Sequence, residues 1–131
     1  MKNTTIKDFQ KNTDKYLIRH KSILDIMTKY QESAARVNRS LAKSVTECGC
    51  LKITAQKQNA PQDIAYTSLK DYMSSHTEGT LCPHCRDNLT KELGHVFFYM
   101  AALCNLTGLS MEEVMQQENN NISTLGYYYL S

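Results

Sequence analysis

The sequence has no tryptophan, only two prolines and only five glycines among its 131 residues. So few chain-breaking residues leave room for long uninterrupted helices and argue against a fold of many short strands joined by turns. Alternating apolar and polar runs rich in valine and threonine, which are typical of half-buried strands, are also scarce. The sequence therefore predicts an all-α protein.

Long apolar runs are missing as well. The longest, Val96 to Cys104, has nine residues, about half of what a membrane-spanning helix needs. The first apolar cluster, at residues 16–18, is short and flanked by charges, unlike the core of a secretory signal. We therefore expect a soluble, cytoplasmic protein with no membrane partner. Residues 1–131 should form one domain, long enough to bury a core without disulfides.

The modest net charge of +2 conceals an uneven distribution. Residues 1–60 carry twelve Lys or Arg against five Asp or Glu, whereas residues 61–131 carry three against eight. A basic surface for phosphates or nucleic acid is one interpretation. The other is that the two halves, or two chains of a dimer, pack with complementary charges, and isolated basic residues on helices are usually solvated.

Apolar residues recur at helical spacing in several segments, which predicts a bundle of four to five helices. The predicted helices span about residues 22–47, 61–75, 83 or 86 to 106, and 110–118, with a short helix or a loose arm at 1–15. Residues 51–62 are expected to form a connection and 76–81 a loop, and the ends 1–15 and 122–131 could be flexible. In the first long helix we expect one stripe to face the core: Ile23, Met27, Tyr30, Ala34, Val37, Leu41 and Val45.

Four of the five cysteines occur in two close pairs, Cys48 with Cys50 and Cys82 with Cys85. Two such pairs from distant segments are the usual way to supply four thiolates to a tetrahedral zinc ion. Here one pair would end the first long helix and the other would begin the third. Gly49 would allow the tight turn between Cys48 and Cys50 by taking a left-handed conformation. The sequence therefore predicts a structural zinc site.

Three other interpretations of the cysteines remain open. They could be small core residues, which is what we expect of Cys104. The string Cys82-Pro83-His84-Cys85 also occurs in disulfide oxidoreductases, although that chemistry normally follows a strand of a thioredoxin fold, and residues 74–79 are not expected to form one. Two disulfides are disfavoured by a cytoplasmic location.

Residues 91–103 contain Lys-Glu-Leu-Gly-His followed by an apolar run, and residues 108–114 read Gly-Leu-Ser-Met-Glu-Glu-Val. Together they resemble the second half of the MazG-like nucleotide pyrophosphohydrolases. The resemblance implies an all-α bundle that dimerises and a magnesium-dependent hydrolysis of nucleoside triphosphates to monophosphates and pyrophosphate. The cysteine pairs do not belong to that family pattern.

The resemblance also implies site residues. Glu92 matches the first acid of the family's Glu-x-x-Asp motif, with His95 in place of the aspartate. Glu32 alone keeps a carboxylate of the earlier Glu-Glu-x-x-Glu motif. Glu32, Glu92 and His95 are thus the candidate catalytic residues. The candidate residues for binding the phosphates are Lys29, Arg36 and Arg39, together with Lys43.

This set of ligands suits magnesium poorly, because magnesium prefers several carboxylate oxygens. Two glutamates and an imidazole fit a softer transition metal better, although magnesium or manganese would be the cofactor if the domain is catalytic. Purely structural roles are the alternative: Glu32 could pair with Arg36 at i,i+4, Glu92 could serve the helix dipole or a basic partner, and His95 could be a satisfied, partly buried histidine.

Three functions follow from the sequence. The first is a nucleotide-binding domain with weak or altered hydrolysis. The second is a non-catalytic, zinc-stabilised regulatory or interaction module. DNA binding by the basic helix ranks last, because no helix-turn-helix spacing or alternation of aromatic and basic residues is visible.

Overall fold

A computed structural model describes residues 3–130 of the chain. The protein is mostly helical, as the sequence predicts, with one small two-stranded sheet. The helices and strands are, in chain order, α1 (Ile6–Tyr16), α2 (Ile23–Lys43), β1 (Leu51–Ile53), β2 (Thr77–Gly79), α3 (Pro83–Thr107) and α4 (Met111–Leu125). A π-helical turn (Ser44–Cys48) continues α2, and short 3₁₀ turns lie at Tyr66–Tyr72 and Gly126–Tyr128.

Each α-helix begins where a side chain accepts a hydrogen bond from a first-turn amide. Thr5 caps α1 and Ser22 caps α2. Cys82 caps α3, with Pro83 in the first turn where a missing amide hydrogen costs nothing. Ser110, where the fourth helix was predicted to begin, caps α4 and accepts from the Glu113 amide at 3.3 Å.

Helix α3 is the centre of the fold, because α1, α2 and α4 all pack against it. The apolar core is small and lies at the C-terminal end of α3, where Ala101 and Cys104 meet Met111 at the start of α4. Ile6 and Phe9 of α1 pack against this cluster. Residues 6–16 therefore form the helix that was one of two possibilities, and Cys104 is the buried core residue that was expected. Residues 1, 2 and 131, part of the ends expected to be flexible, lie outside the described residues.

Gln10 ties these three helices together. Its amide nitrogen donates to Asn105 Oδ1 at 2.9 Å and to the Leu109 carbonyl at 2.8 Å, and its amide oxygen accepts from the Met111 amide at 2.8 Å. The Asn105 side chain donates to the Gln10 carbonyl at 3.1 Å. These bonds fix the turn between α3 and α4 against α1.

The face of α2 that packs toward α3 differs from the predicted one. Its buried and half-buried positions recur every three or four residues, and six of them form what we call the inner face: Ile26, Tyr30, Ser33, Val37, Ser40 and Ser44. Of the predicted core stripe, Ile23, Met27, Ala34 and Leu41 are exposed instead. Tyr30 and Val37 of that stripe belong to the inner face, which therefore lies beside the predicted stripe and not opposite it. The small serines of the inner face let α3 approach closely.

Three predictions of secondary structure are wrong. Residues 51–53 and 77–79, expected to lie in a connection and a loop, form the antiparallel strands β1 and β2, with Leu51 opposite Gly79. Residues 61–75 form no α-helix, and only a 3₁₀ turn interrupts this segment. Helix α4 continues to Leu125 instead of ending near residue 118.

Candidate metal centre and basic cleft

The four paired cysteines come together where α2 ends and α3 begins. Cys48 closes the π-helical turn, and Gly49 follows with φ +78°, the left-handed conformation that the Cys-x-Cys turn was expected to need. Cys82 and Cys85 occupy the N-cap and first turn of α3. All four sulfurs lie within 4.8 Å of one another. The predicted cysteine cluster is therefore confirmed.

The spacing of the sulfurs fits a tetrahedral metal site. A zinc–sulfur bond of about 2.3 Å places neighbouring thiolates of a tetrahedron about 3.8 Å apart. The sulfurs of Cys48 and Cys82 are 3.7 Å apart. All five cysteines are free thiols, so neither pair forms a disulfide. The donor set therefore fits a thiophilic divalent ion.

The thiols differ in their surroundings. A hydrogen bond from the Cys85 amide to the Cys82 sulfur, at 3.4 Å, together with the Cys85 side chain, lowers the pKa of Cys82 to about 7. A hydrogen bond with Ser44 favours the Cys85 thiolate, but burial and the neighbouring thiols outweigh it and raise the pKa of Cys85 to about 12. Thiolates crowded this closely repel each other unless a cation lies between them.

The small sheet holds Cys50 in place. Gly79 has φ +83°, and a Cβ atom at this position would lie 2.4 Å from the carbonyl oxygen of Cys50. No L side chain tolerates such a contact, so only glycine lets β2 lie this close to the Cys50 backbone. The sequence predicts a loop at Gly79 and gives no sign of this role, because the strand pairing joins segments 26 residues apart.

A cleft between α2 and α3 contains the other candidate residues. One cavity of about 360 Å³ is lined by Lys29, Glu32, Ser33, Arg36, His95, Phe98 and Tyr99. An adjoining cavity of about 220 Å³ is lined by Arg36, Arg39, Ser40, Lys43, Asn88, Lys91 and Glu92. Arg36 borders both. The cleft thus brings together residues that lie about sixty positions apart in the sequence.

Glu32 is held by two cations. Its Oε1 accepts from Arg36 Nη2 at 3.1 Å and from Nε at 3.2 Å, and its Oε2 lies 3.5 Å from Lys29 Nζ. These bonds, led by the one from Arg36, lower the pKa of Glu32. The predicted Glu32–Arg36 pair is therefore present, and neither oxygen of Glu32 is left as a bare ligand for a hard cation.

The surroundings of Glu92 differ from those of Glu32, whose oxygens both contact cations. Its Oε2 is buried and has no hydrogen-bond partner within residues 3–130. His95, one turn later on α3, is exposed and lines the neighbouring cavity. A buried carboxylate oxygen without a partner is costly, and such a group in a basic cleft is a candidate contact for a bound cation or hydrogen-bond donor.

The cleft is also lined by four residues that were not predicted as site residues: Asn88, Lys91, Phe98 and Tyr99. Lys91 and Asn88 precede Glu92 by one and four positions, and helical spacing from Glu92 could have identified Asn88. The two aromatic residues belong to the apolar run of α3, so the sequence alone does not distinguish them from core residues.

Among residues 3–130, no single helix is both long and apolar enough to cross a membrane. Only α3 and α4 taken together reach that length and composition, and they meet at a bend of 105°.

Comparisons of the chain with protein-family models, with curated proteins and with solved structures find no match.

Proposed function

We propose that this chain is a MazG-like helical domain that binds the phosphate groups of a nucleotide in the cleft between α2 and α3. A zinc ion at the four cysteines would join the ends of these two helices. The single observation that carries the proposal is that the candidate residues all line two adjoining cavities: Lys29, Glu32, Arg36, Arg39, Glu92 and His95.

The charge of the cleft supports an anionic ligand. Its lining contains five cations, Lys29, Arg36, Arg39, Lys43 and Lys91, against the two glutamates. Arginine binds phosphate oxygens through two parallel hydrogen bonds, which makes it well suited to this task. A cavity of about 360 Å³ is also within the size range of ligand pockets.

The aromatic residues give the cleft a second kind of surface. Phe98 and Tyr99 line the end that also holds Lys29 and His95. An aromatic face stacks on a nucleobase of any identity. A nucleotide with its base near these rings and its phosphates near Arg36 and Arg39 would use both ends of the cleft.

We do not expect the domain to hydrolyse nucleotides rapidly. Both oxygens of Glu32 already contact cations, and Glu92 with His95 adds one carboxylate and one imidazole. This set does not fit magnesium, which needs several oxygen ligands. A softer transition metal accepts mixed oxygen and nitrogen ligands more readily. We therefore expect nucleotide binding with slow turnover or none.

Isothermal titration calorimetry with ATP, pyrophosphate and adenosine tests the ligand class. ATP and pyrophosphate should bind, and adenosine should bind much more weakly. Arg36→Ala should weaken ATP binding by about tenfold or more, because one charge-assisted hydrogen bond contributes about 1.5–3 kcal/mol. Lys11→Ala, at an exposed position of α1, is the control. The proposal is wrong if neither phosphate ligand binds or if the two variants behave alike.

A non-catalytic regulatory or interaction module is the second candidate, and the ion pairing of Glu32 favours it. Pyrophosphate release measured with magnesium and with manganese separates the two. An enzyme should show turnover that rises with manganese and disappears in Glu92→Ala. A regulatory module should bind nucleotide without releasing pyrophosphate.

Zinc is the metal that we propose for the cysteines, because soft thiolates in a tetrahedral set favour it over magnesium or manganese. Elemental analysis of the purified protein should find about one zinc per chain. Cys82→Ser should lose the metal and unfold at a lower temperature. Cys104→Ser, a core cysteine away from the cluster, should keep it. Equal zinc content in the two variants would exclude a site at the four cysteines.

A further inference from the structure

The four clustered cysteines differ in how far solvent reaches them. Cys48 is exposed, Cys50 and Cys82 are half-buried, and Cys85 is buried, with 7% of its surface exposed. Oxidation of a cysteine depends on its exposure and on its thiolate character, and a cysteine that binds a metal does so as a thiolate. An oxidant that arrives from solvent therefore meets Cys48 before the other three.

A third cavity, of about 200 Å³, lies beside Cys48 and adjoins the basic cleft. Its volume is several times the roughly 30 Å³ that a water molecule occupies, so a molecule as small as hydrogen peroxide fits. Its lining includes Lys43 and Glu47, of opposite charge, together with His84 and Asn88. Four thiolates around a divalent ion carry a net negative charge, which repels anionic oxidants. The surroundings of Cys48 therefore favour a small, neutral oxidant.

Cys82 provides the second sulfur. Its Sγ lies 3.7 Å from the Sγ of Cys48, so the two sulfurs must approach by about 1.7 Å to form a disulfide. Cys48 is the last residue of the π-helical turn, and a Cβ atom at the following Gly49 would contact nothing within 4 Å. The chain at Cys48 therefore has room for this movement.

Ser44 engages the other two thiols. It is buried, with 1% of its surface exposed. Its carbonyl oxygen accepts from the Cys50 sulfur at 3.8 Å, and it also forms a hydrogen bond with Cys85. The close contact of Gly79 with the Cys50 backbone restrains Cys50 further. Cys48 and Cys82 are thus the two thiols that are both reachable and free to combine.

We propose that the cysteine centre is an oxidation site for small neutral hydroperoxides, at which Cys48 and Cys82 form a reversible disulfide. The Cys48 sulfur attacks one oxygen of hydrogen peroxide: an S–O bond forms, the O–O bond breaks and hydroxide leaves. The Cys82 thiolate then attacks the Cys48 sulfur: the S–S bond forms, the S–O bond breaks and a second hydroxide leaves. The two sulfurs together lose two electrons, which reduce the peroxide, and both hydroxides take protons from solvent to become water.

The disulfide would leave only Cys50 and Cys85 as thiolates, too few for a structural zinc site, so the ion is released. The new bond joins the end of α2 to the start of α3, as the metal would, and the fold therefore persists after oxidation. Reduction by a thiol restores the four ligands. The disulfide follows from the arrangement of the cysteines, and only the metal release rests on the zinc proposed above.

Mass spectrometry of the zinc-loaded protein after treatment with hydrogen peroxide tests the pairing. N-ethylmaleimide in denaturant blocks the thiols that remain, and the protein is digested without reductant. The main product should be a peptide pair linked through Cys48 and Cys82, with Cys50, Cys85 and Cys104 blocked. A main product that links Cys48 to Cys50 or Cys82 to Cys85, overoxidised Cys48 without a disulfide, or thiols that peroxide leaves unchanged would each overturn the proposal.

Cys48→His and Cys50→His form a matched pair of variants. Histidine keeps a fourth ligand for zinc but cannot form a disulfide. Under peroxide, Cys48→His should release zinc at least about tenfold more slowly than the wild type, whereas Cys50→His keeps both reactive sulfurs and should respond like the wild type. Equal sensitivity of the two variants would overturn the assignment of Cys48. Where a variant does not load zinc, the peptide mapping of the wild type decides.

The metal release has its own measurement. A coloured chelator present during the peroxide treatment should detect about one zinc per disulfide formed, and dithiothreitol followed by zinc should restore the metal content. A disulfide that forms while the zinc stays bound would overturn the metal release and leave the oxidation site intact. Protein that never contains zinc would overturn the zinc proposal instead, and the mapping of the disulfide would still decide the oxidation site.

Discussion

Gly79 offers a test of how the small sheet supports the cysteine centre. Replacing it by alanine has two separate effects. The left-handed backbone, with φ +83°, costs about 1–2 kcal/mol for any residue with a Cβ atom. The new Cβ atom would also lie 2.4 Å from the Cys50 carbonyl oxygen. The backbone of Cys50 or of β2 must then move by about 1 Å to reach an ordinary contact distance.

A shift of this size matters because metal–ligand distances tolerate only about 0.2 Å. We therefore expect Gly79→Ala to lower the affinity for zinc by more than about tenfold, which corresponds to 1.4 kcal/mol. Competition with a coloured chelator measures the affinity, and urea denaturation of the zinc-loaded protein measures the free energy of unfolding.

Gly108 provides the matched control. It has φ +72°, and a Cβ atom there would contact nothing within 4 Å. Gly108→Ala should therefore lower the free energy of unfolding by about 1–2 kcal/mol and leave the zinc affinity unchanged. Equal zinc affinities of Gly79→Ala and Gly108→Ala would show that Gly79 and the sheet do not position Cys50.

Two further predictions concern the cleft. Glu92→Leu should raise the free energy of unfolding of the ligand-free protein by about 1–3 kcal/mol, because it removes a buried carboxylate oxygen without a partner; a lower urea midpoint at unchanged slope would contradict this. The lowered pKa of Glu32 contributes stability that is present above the unfolded pKa of about 4.3 and is lost as the pH falls through the lower folded value. In Glu32→Gln, the free energy of unfolding should therefore fall less steeply with decreasing pH on the acid side, and its pH dependence near neutral pH should be unchanged. If the wild type and the variant unfold identically in acid, the ion pairs of Glu32 contribute no stability.

The sequence predicted the helices best where local chemistry marks their ends. Ser22, Cys82 with Pro83, and Ser110 are cap and first-turn residues, and each begins a helix in the structure. The left-handed Gly49 ends the first long helical segment, including its π-helical turn. These signals act over a few residues, so they can be recognised in the sequence alone.

The two strands could not be predicted in this way. β1 and β2 have three residues each, too few for an alternating pattern to stand out. Their pairing depends on a contact between Leu51 and Gly79, which exists only in the folded chain. The helix predicted at residues 61–75 is absent. Pro61 and a few apolar residues at helical spacing are not enough, because a helix in a protein is stabilised mainly by packing its apolar face against other elements.

The sequence by itself determined that the protein is mostly helical and that four cysteines in two close pairs could share one ion, because periodicity and ligand spacing are local properties of the chain. Only the tertiary structure decided which side of α2 faces α3. Two stripes of that helix have the same spacing, and the choice between them depends on how closely the serines of the inner face let α3 approach. Four residues of the predicted stripe, Ile23, Met27, Ala34 and Leu41, were left exposed, which no count of apolar residues along the chain could reveal.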